Sequence, residues 1–255
     1  MHEAPLRAYV IRGNAREQAL DWLHVHCEVQ GVLEEDDSVT VWIASALPDL
    51  PQPGLAVHEI PVAPADLERT GLEDDTAILV AEDVLVRPPW VKRPADFRGI
   101  ELVVPRGNAF GSGEHASTKA ALRCLHRLWE APVRFGDVGT GSGILALYAR
   151  ARGCTHIEAC DVDRHAVSAA RALLPGAIVH VGGPETLGPL DCVIANLTAA
   201  ELTAALPAIL ARWTRNSVMV LGGMRGHEVA IVQQQVPATV VAAETDLAFT
   251  ALGFR

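Results

Sequence analysis

Apolar and amphipathic segments alternate regularly along the second half of the chain. Short runs rich in apolar and β-branched residues predict strands at 133–137, 156–161, 177–181, 190–195, 217–221, 239–245 and 248–254. Segments of helical periodicity predict helices at 117–128, 144–152, 164–174, 199–213 and 225–235. This alternation is typical of an α/β domain with a mostly parallel sheet covered by helices on both faces. The carboxyl ends of such strands share one edge of the sheet, where ligands bind.

A shorter pattern in residues 1–60 predicts a small α/β lobe of the βαββ type. Its predicted elements are a strand at 6–12, a helix at 15–27 and strands at 29–34 and 39–44, with one further strand near 55–60. The polar residues 34–38 predict a hairpin turn between two of these strands.

A boundary is predicted after this lobe, because five prolines stand from residue 47 to residue 64. Extended segments are predicted next, at 77–81, 84–86 and 100–104. We interpret residues 61–105 as a linker that lays these extended segments against the main domain at 106–255.

Three glycines at alternate positions, Gly139, Gly141 and Gly143, stand between a predicted strand and a predicted helix. Glycine lets a ligand approach the backbone without a Cβ in the way, and the N–H groups of a helix start donate to it. Asp161 ends the next strand, where a carboxylate accepts hydrogen bonds from two ribose hydroxyls. The pattern therefore predicts a site for a nucleoside-like ligand.

The spacing of the glycines discriminates between ligands. A dinucleotide fingerprint reads G-x-G-x-x-G, whereas here the order is acidic-x-G-x-G-x-G, with Asp137 as the acidic residue. This order resembles the first motif of class I S-adenosylmethionine-dependent methyltransferases. Such enzymes bind a sulfonium cation with an amino-acid tail, so an acidic residue beside the glycines is tolerable. A plain tight turn is the alternative for the glycines alone, and Asp161 at the strand end makes it the weaker one.

Composition and charge indicate the class of protein, its location and the kind of partner that it binds. With 49% hydrophobic and 20% charged residues the chain is that of a globular protein, and we find neither an apolar stretch long enough to span a membrane nor an export signal. We therefore expect a cytoplasmic protein, and nothing in the sequence demands more than a monomer. The net charge of −10 disfavours a large nucleic-acid-binding surface, because phosphates need a basic field, and it favours a basic partner.

Metal binding is not expected from the cysteines and histidines. The five cysteines include no C-x-x-C pair, and the ten histidines show no metal-ligand spacing. We interpret the cysteines as reduced thiols among apolar neighbours.

Two further segments fall at the predicted ligand edge. The loop 108–118 contains His115 and Thr118 ahead of a helix, and Asn196 follows the strand at 190–195. Such a loop could fold over a ligand as a lid, and hydroxyl and amide side chains there either cap a helix or contact the ligand. His115 is a candidate for removing a proton from the acceptor, with a solvated loop position as its alternative.

Taken together, these segments resemble the ribosomal protein L11 methyltransferases. The family pattern F-G-T-G-x-H-x-T-T, then D-x-G-T-G-S-G-[IV]-L-A, then D-[IV]-D, then A-N-[IL]-x-A is matched in order by residues 110–118, 137–146, 161–163 and 195–199. The resemblance implies a seven-stranded, Rossmann-like class I methyltransferase domain behind a small α/β lobe that recognises the substrate. It also implies that S-adenosylmethionine is held by Thr118, Gly139, Gly141, Gly143, Asp161 and Asn196.

The activity implied by the resemblance is methylation of amino groups of ribosomal protein L11, either lysine ε-amino groups or the N-terminal α-amino group. Asn196 and His115 are then the candidate catalytic residues. Ser117 departs from the family's first paired threonine, and residues 182–184 leave adenine recognition open. The alternative acceptors are another basic protein or a small amine. An RNA methyltransferase, a dinucleotide oxidoreductase and a non-catalytic module that binds S-adenosylmethionine are the remaining alternatives.

Overall fold

The computed structural model describes residues 7–27, 29–34, 37–43, 45–62, 75–105 and 110–255. Contacts divide the chain into two compact units, Met1–Asp74 and Asp75–Arg255. Residues 75–105, which the sequence assigns to a linker, belong to the second unit. The remainder of that predicted linker includes residues 63–74, which lie outside the described residues, as do residues 35 and 36 of the predicted hairpin turn.

The first unit is an antiparallel sheet with one helix. Its elements are β1 (Arg7–Arg12), α1 (Arg16–His26), β2 (Val29–Glu34), β3 (Ser38–Ile43) and β4 (Ala56–Ile60). The strand order is β2-β3-β1-β4. Every second side chain of β1 and β3 is apolar and packs against α1. Ile11, Leu23, Val41 and Ile43 are fully buried at this interface and form the core of the unit.

The second unit begins with a small three-stranded sheet. Its strands are β5 (Ile78–Ala81), β6 (Val84–Arg87) and β7 (Ile100–Val103). β5 and β6 form an antiparallel pair, and β7 lies parallel to β6. Val84, Val86 and Leu102 are buried in the same core as the helices that follow. These extended segments are therefore an integral layer of the second unit.

A seven-stranded sheet forms the centre of the second unit. Its strands are β8 (Arg134–Val138), β9 (His156–Asp161), β10 (Ile178–Val181), β11 (Leu190–Asn196), β12 (Trp213–Arg225), β13 (Val240–Asp246) and β14 (Phe249–Phe254). The order is β10-β9-β8-β11-β12-β14-β13, and within it β14 runs opposite to its neighbours. The remaining pairs are parallel.

Helices cover both faces of this sheet. They are α2 (Ala116–Arg127), α3 (Ile144–Ala151), α4 (Arg164–Leu173), α5 (Ala199–Arg212) and α6 (Val229–Gln233). Helices α2, α3 and α4 contribute to the core on one face, and α5 and α6 contribute to the core on the other. The predicted α/β fold class, with a mostly parallel sheet between two helical layers, is confirmed.

One predicted element is wrong. The sequence predicts a strand at 217–221, whereas β12 extends from Trp213 to Arg225. The register with β14 shifts between Leu221 and Met224, and Gly223 has a φ of +90°. The glycine pair is thus a bulge inside the strand rather than a connection to the next helix.

The described part of the chain shows neither a disulfide nor a cluster of metal ligands. All five cysteines are free thiols, and four of them are buried in the cores. Within the described ranges, no group of three or more histidine, cysteine or acidic side chains is arranged to hold a metal ion. No helix of that part of the chain has the length and apolarity needed to cross a membrane.

Candidate active site

The strand order changes direction between β8 and β11, at the centre of the large sheet. Chain crossovers leave in opposite directions from such a pair of strands, which opens a crevice beyond their carboxyl ends. The glycine turn follows β8, Asn196 ends β11, and Asp161 ends β9 beside them. The structure thus brings the predicted site residues to one edge of one sheet.

The glycine turn requires a left-handed backbone at three positions. Gly139, Gly141 and Gly143 have φ values of +67°, +52° and +90°, which other residues adopt at a cost. A Cβ on Gly139 would overlap the side chain of Leu197, and a Cβ on Gly141 would overlap the carbonyl of Phe110. Backbone conformation and close packing therefore demand these glycines, a reason that the ligand argument from the sequence did not include.

Asp161 ties the end of β9 to the glycine turn. Its Oδ2 accepts a hydrogen bond from the Gly141 N–H at 2.9 Å, and its Oδ1 accepts one from the Asp163 N–H at 2.9 Å. A carboxylate has about four lone-pair positions, so each oxygen retains capacity for a hydroxyl donor. The side chain is fixed in place and still able to accept from a ribose.

Asp137 lies beneath the turn and is completely buried. Its Oδ2 accepts from the Thr140 hydroxyl at 2.7 Å and from the Ala146 N–H at 3.3 Å, whereas its Oδ1 has no partner among the described residues. Burial raises the pKa of this carboxyl from 3.8 to about 7. Asp137 therefore supports the turn from inside.

The loop before α2 lies on the glycine turn. The Ser142 N–H donates to the Phe110 carbonyl at 2.8 Å, and the Ser142 hydroxyl donates to the Gly111 carbonyl at 2.6 Å. The predicted lid residues 110–115 are thus hydrogen-bonded to the predicted ligand turn. Asn108 and Ala109, the first residues of that loop, lie outside the described residues.

His115 caps the start of α2. Its Nδ1 accepts from the Ser117 N–H at 3.2 Å and lies 2.8 Å from the Ser117 hydroxyl. The ring packs edge-on between Phe110 and Phe249, with centroid distances of 5.1 and 4.8 Å. Because Nδ1 accepts a backbone N–H, the neutral imidazole carries its proton on Nε2. The ring nitrogen that would take up a proton is therefore the one already engaged in the cap.

Thr118 and Asn196 each keep a buried polar atom that has no hydrogen-bond partner among the described residues. Thr118 is 1% exposed, and its Oγ1 has no hydrogen bond within the described ranges. Asn196 Nδ2 donates to the Ser117 hydroxyl at 3.2 Å, while Asn196 Oδ1 is likewise unpartnered there. An unsatisfied buried polar group costs about 1–3 kcal/mol, so such atoms are a sign of a missing partner.

Neither residue caps a helix, which was the alternative role for both. The cap of α2 is His115, and α5 is capped by Thr198 in a reciprocal pair with Glu201. Sequence reasoning missed these caps. It noted the hydroxyl of Ser117 at the start of the helix but not that Ser117 joins His115 to Asn196, because a local pattern contains no signal for a contact with a residue so distant in the sequence.

Comparison with known proteins agrees with this geometry. The family model described as Ribosomal protein L11 methyltransferase (PrmA) matches residues 27–246. Proteins named ribosomal protein L11 methyltransferase are similar in sequence. That of Dechloromonas aromatica is 29% identical over 239 residues, which cover 88% of this chain and 78% of that protein. That of Syntrophotalea carbinolica is 32% identical over 163 residues, which cover 60% of this chain.

The chain spans about half the length of some of these relatives. The matched stretch covers 53% of the Syntrophotalea carbinolica protein. It covers 57% of the protein of the same name from Thiobacillus denitrificans, which is 33% identical over 171 residues and 66% of this chain.

The fold is shared with a solved structure, the ribosomal protein L11 methylase from Lactobacillus delbrueckii subsp. bulgaricus. The TM-score is 0.63 at 21% identity, and the match covers 70% of this chain and 97% of that one. Because the family model matches most of the sequence, the chain belongs to the ribosomal protein L11 methyltransferase (PrmA) family.

Proposed function

We propose that this chain transfers methyl groups from S-adenosylmethionine to amino groups of ribosomal protein L11, either lysine ε-amino groups or the N-terminal α-amino group. The observation that carries the proposal is a pair of buried atoms beside the glycine turn and Asp161, Thr118 Oγ1 and Asn196 Oδ1, which have no partner in the described part of the chain. Family membership supports the choice of donor and acceptor.

The residues present fit S-adenosylmethionine. Asp161 offers carboxylate lone pairs for ribose hydroxyls, and the backbone of Gly139 lies at the edge of the crevice. Thr118 and Asn196 offer the unpartnered oxygens, and Gly141 and Gly143 shape the turn. When bound, the donor supplies an electrophilic methyl group on a positively charged sulfur.

Asn196 has the main chemical role in this proposal. The accepting amine must be neutral before it attacks, and its ordinary pKa is about 10.4 for lysine or about 8 for an α-amino group. A carboxamide oxygen that accepts one amine N–H directs the nitrogen lone pair away from itself. Holding the nitrogen in line with the methyl group is then the chief contribution of the protein.

His115 acts through its neighbours rather than as a general base. Its Nδ1 is engaged by Ser117, so proton uptake there would break the cap of α2. The ring instead fixes Ser117 and packs against Phe110 of the loop.

The proposal also covers where the chain works and what it binds. The chain works in the cytoplasm as a monomer, and the small N-terminal lobe predicted at residues 1–60 recognises the substrate. The net charge of −10 supports a basic protein as partner and disfavours direct contact with nucleic acid.

Methyl transfer to a mixture of acceptors tests the activity. The purified chain is incubated with S-adenosylmethionine labelled in its methyl group, together with total ribosomal proteins and ribosomal RNA. Label on L11, and a much lower rate of labelling with Asn196→Ala, is the expected result. Label on RNA, or on other proteins but not on L11, would contradict the proposal.

A further inference from the structure

The glycine bulge of β12 lies directly beside Asn196. In the parallel pairing of β11 with β12, Asn196 is opposite Gly222. A Cβ on Gly222 would lie 2.9 Å from Asn196 Oδ1 and 3.2 Å from the Cβ of Ala121. The carboxamide therefore lies across Gly222, in space that any larger residue would occupy.

Gly223 supports the backbone that follows Asn196. It has a φ of +90°, and a Cβ there would overlap the carbonyl of Leu197. The Leu197 N–H donates to the Gly222 carbonyl at 3.1 Å. Bulges near active sites redirect side chains, and the bulge of β12 packs directly against residues 196 and 197.

Ser117 holds the other end of the carboxamide. Its hydroxyl accepts from Asn196 Nδ2 at 3.2 Å and lies 2.8 Å from His115 Nδ1. Since Nδ1 is an acceptor, the Ser117 hydroxyl donates its proton to the ring and keeps its lone pairs for the amide. The hydrogen-bond direction thus assigns the Nδ2 end of the amide to Ser117 and the Oδ1 end to the unpartnered position.

We infer that Ser117 and Gly222 are positioning residues that together fix the Asn196 carboxamide for methyl transfer, so that the bulge of β12 is part of the active site. The inference rests on the proposed function. Without the hydroxyl the amide rotates freely, and with a side chain at 222 it is displaced. Small misplacements of a reacting or orienting group cause large losses of rate.

Ser117→Ala tests the hydroxyl. The variant keeps the backbone N–H that donates to His115, so the cap of α2 survives. We expect kcat to fall about tenfold, the worth of one hydrogen bond, with the KM for S-adenosylmethionine unchanged. Ser117→Thr, which restores a hydroxyl, should recover most of the rate. A fall in kcat that Ser117→Thr repeats would overturn the inference.

Gly222→Ala tests the space beneath the amide, and Gly226→Ala is its matched control. A Cβ on Gly226 meets no atom within 4 Å, whereas a Cβ on Gly222 meets Asn196 Oδ1. We expect a loss of kcat for Gly222→Ala and the wild-type rate for Gly226→Ala, with both proteins folded by circular dichroism. Equal rates for the two variants would overturn the inference.

A double-mutant cycle separates positioning from general damage. If Ser117 acts through Asn196, the tenfold loss should shrink to about twofold or less in the Asn196→Ala background. A full loss in both backgrounds would show that Ser117 acts independently of Asn196, and it would overturn the inference.

NMR signals of the Asn196 side chain report its positioning without requiring that the protein transfer a methyl group. The side-chain amide signals of Asn196 in a ¹⁵N–¹H spectrum are assigned by their loss in Asn196→Asp. They should shift in Ser117→Ala and Gly222→Ala but not in Gly226→Ala. If the wild type transfers no methyl group, the proposed function fails while this measurement still decides the positioning. Unmoved signals in both site variants would overturn it.

Discussion

Two buried polar atoms at the edge of the large sheet belong to side chains that the sequence predicts for the site. Most buried polar groups in a folded protein have hydrogen-bond partners. Thr118 Oγ1 and Asn196 Oδ1 lack one within the described ranges, although the helix caps next to each are complete. The sequence predicted both residues as site candidates but could not exclude capping, because cap identity depends on the backbone angles at the helix start.

Thr118→Val should separate binding from stability. Removing an unsatisfied hydroxyl should leave the free energy of unfolding unchanged or raise it by up to about 1 kcal/mol. The affinity for S-adenosylmethionine should fall about tenfold, as for the loss of one hydrogen bond. Calorimetric titration and urea denaturation measure the two quantities.

The matched control for Thr118 is Thr140→Val, which removes the satisfied hydrogen bond to Asp137. This control should lower stability by about 1–3 kcal/mol, because a buried carboxyl loses its donor. If Thr118→Val destabilises the protein as much as Thr140→Val does, the hydroxyl of Thr118 has a structural partner and our interpretation fails.

The buried carboxyl of Asp137 should make stability depend on pH. Burial raises its pKa to about 7 in the folded chain, above an ordinary value of 3.8, so the folded state holds this proton more tightly. The stabilisation is complete below the lower value and is lost as pH rises towards 7. The unfolding free energy should fall by on the order of 1.4 kcal/mol per pH unit within this window.

Urea denaturation at pH 4.5, 5.5, 6.5 and 7.5 measures this dependence, and Asp137→Asn isolates it from other titrating groups. The amide does not ionise, so the wild-type slope minus the variant slope is the contribution of Asp137. Identical slopes for the two proteins would mean that the carboxyl is already ionised in the folded chain.

At the scale of elements, periodicity predicted most helices and strands but not the end of β12. A glycine pair ordinarily marks a turn, and the predicted strand accordingly stops at residue 221, directly before Gly222 and Gly223. Only the neighbouring backbone of Leu197 shows why glycine is needed within the strand. Caps and bulges depend on contacts between segments distant in sequence, and a local pattern contains no information about such contacts.

The cap of α5 should stabilise the helix that follows Asn196 and Leu197. Thr198 accepts from the Glu201 N–H, and the Glu201 carboxylate accepts from the Thr198 N–H at 2.9 Å. Thr198→Ala should lower the unfolding free energy by about 1 kcal/mol. The control is Thr203→Ala, an exposed threonine in the same helix whose hydroxyl accepts a long hydrogen bond from Gln235 at 3.4 Å. Its stability should stay within about 0.5 kcal/mol of the wild type, because the helix preference of alanine offsets the loss of that exposed bond. Thermal denaturation compares the two, and equal stabilities would rule out the cap as a stabilising element.

At the scale of the whole molecule, the alternation of strands and helices predicted the fold class. The extended segments within residues 75–105 were predicted to lie against the main domain, but their pairing into one sheet was not. Its three strands have only four residues each, too few for a distinct periodic signal. Val84, Val86 and Leu102 nevertheless lie in the main core. Burial of this kind depends on the tertiary arrangement, so the segment looked like a linker in the sequence.

The net charge of the whole chain should control how fast it meets a basic protein. With a charge of −10, long-range attraction raises the association rate, and added salt screens it. We expect kcat/KM for L11 to fall several-fold between about 0.05 and 0.3 M salt, while kcat stays constant. Initial rates at varied L11 concentration measure this. A constant kcat/KM would indicate that recognition depends on short-range contacts alone.

Leu197 contacts both the glycine turn after β8 and the bulge of β12. Its side chain fills the space above Gly139, and its backbone packs against Gly223. The sizes of residues 139 and 197 are therefore interdependent, whereas a side chain at position 223 would meet the backbone of Leu197 whatever residue stands at 197. Among homologous sequences, positions 139 and 197 should diverge jointly or not at all, and a search for altered acceptor specificity would do better to vary these two in combination.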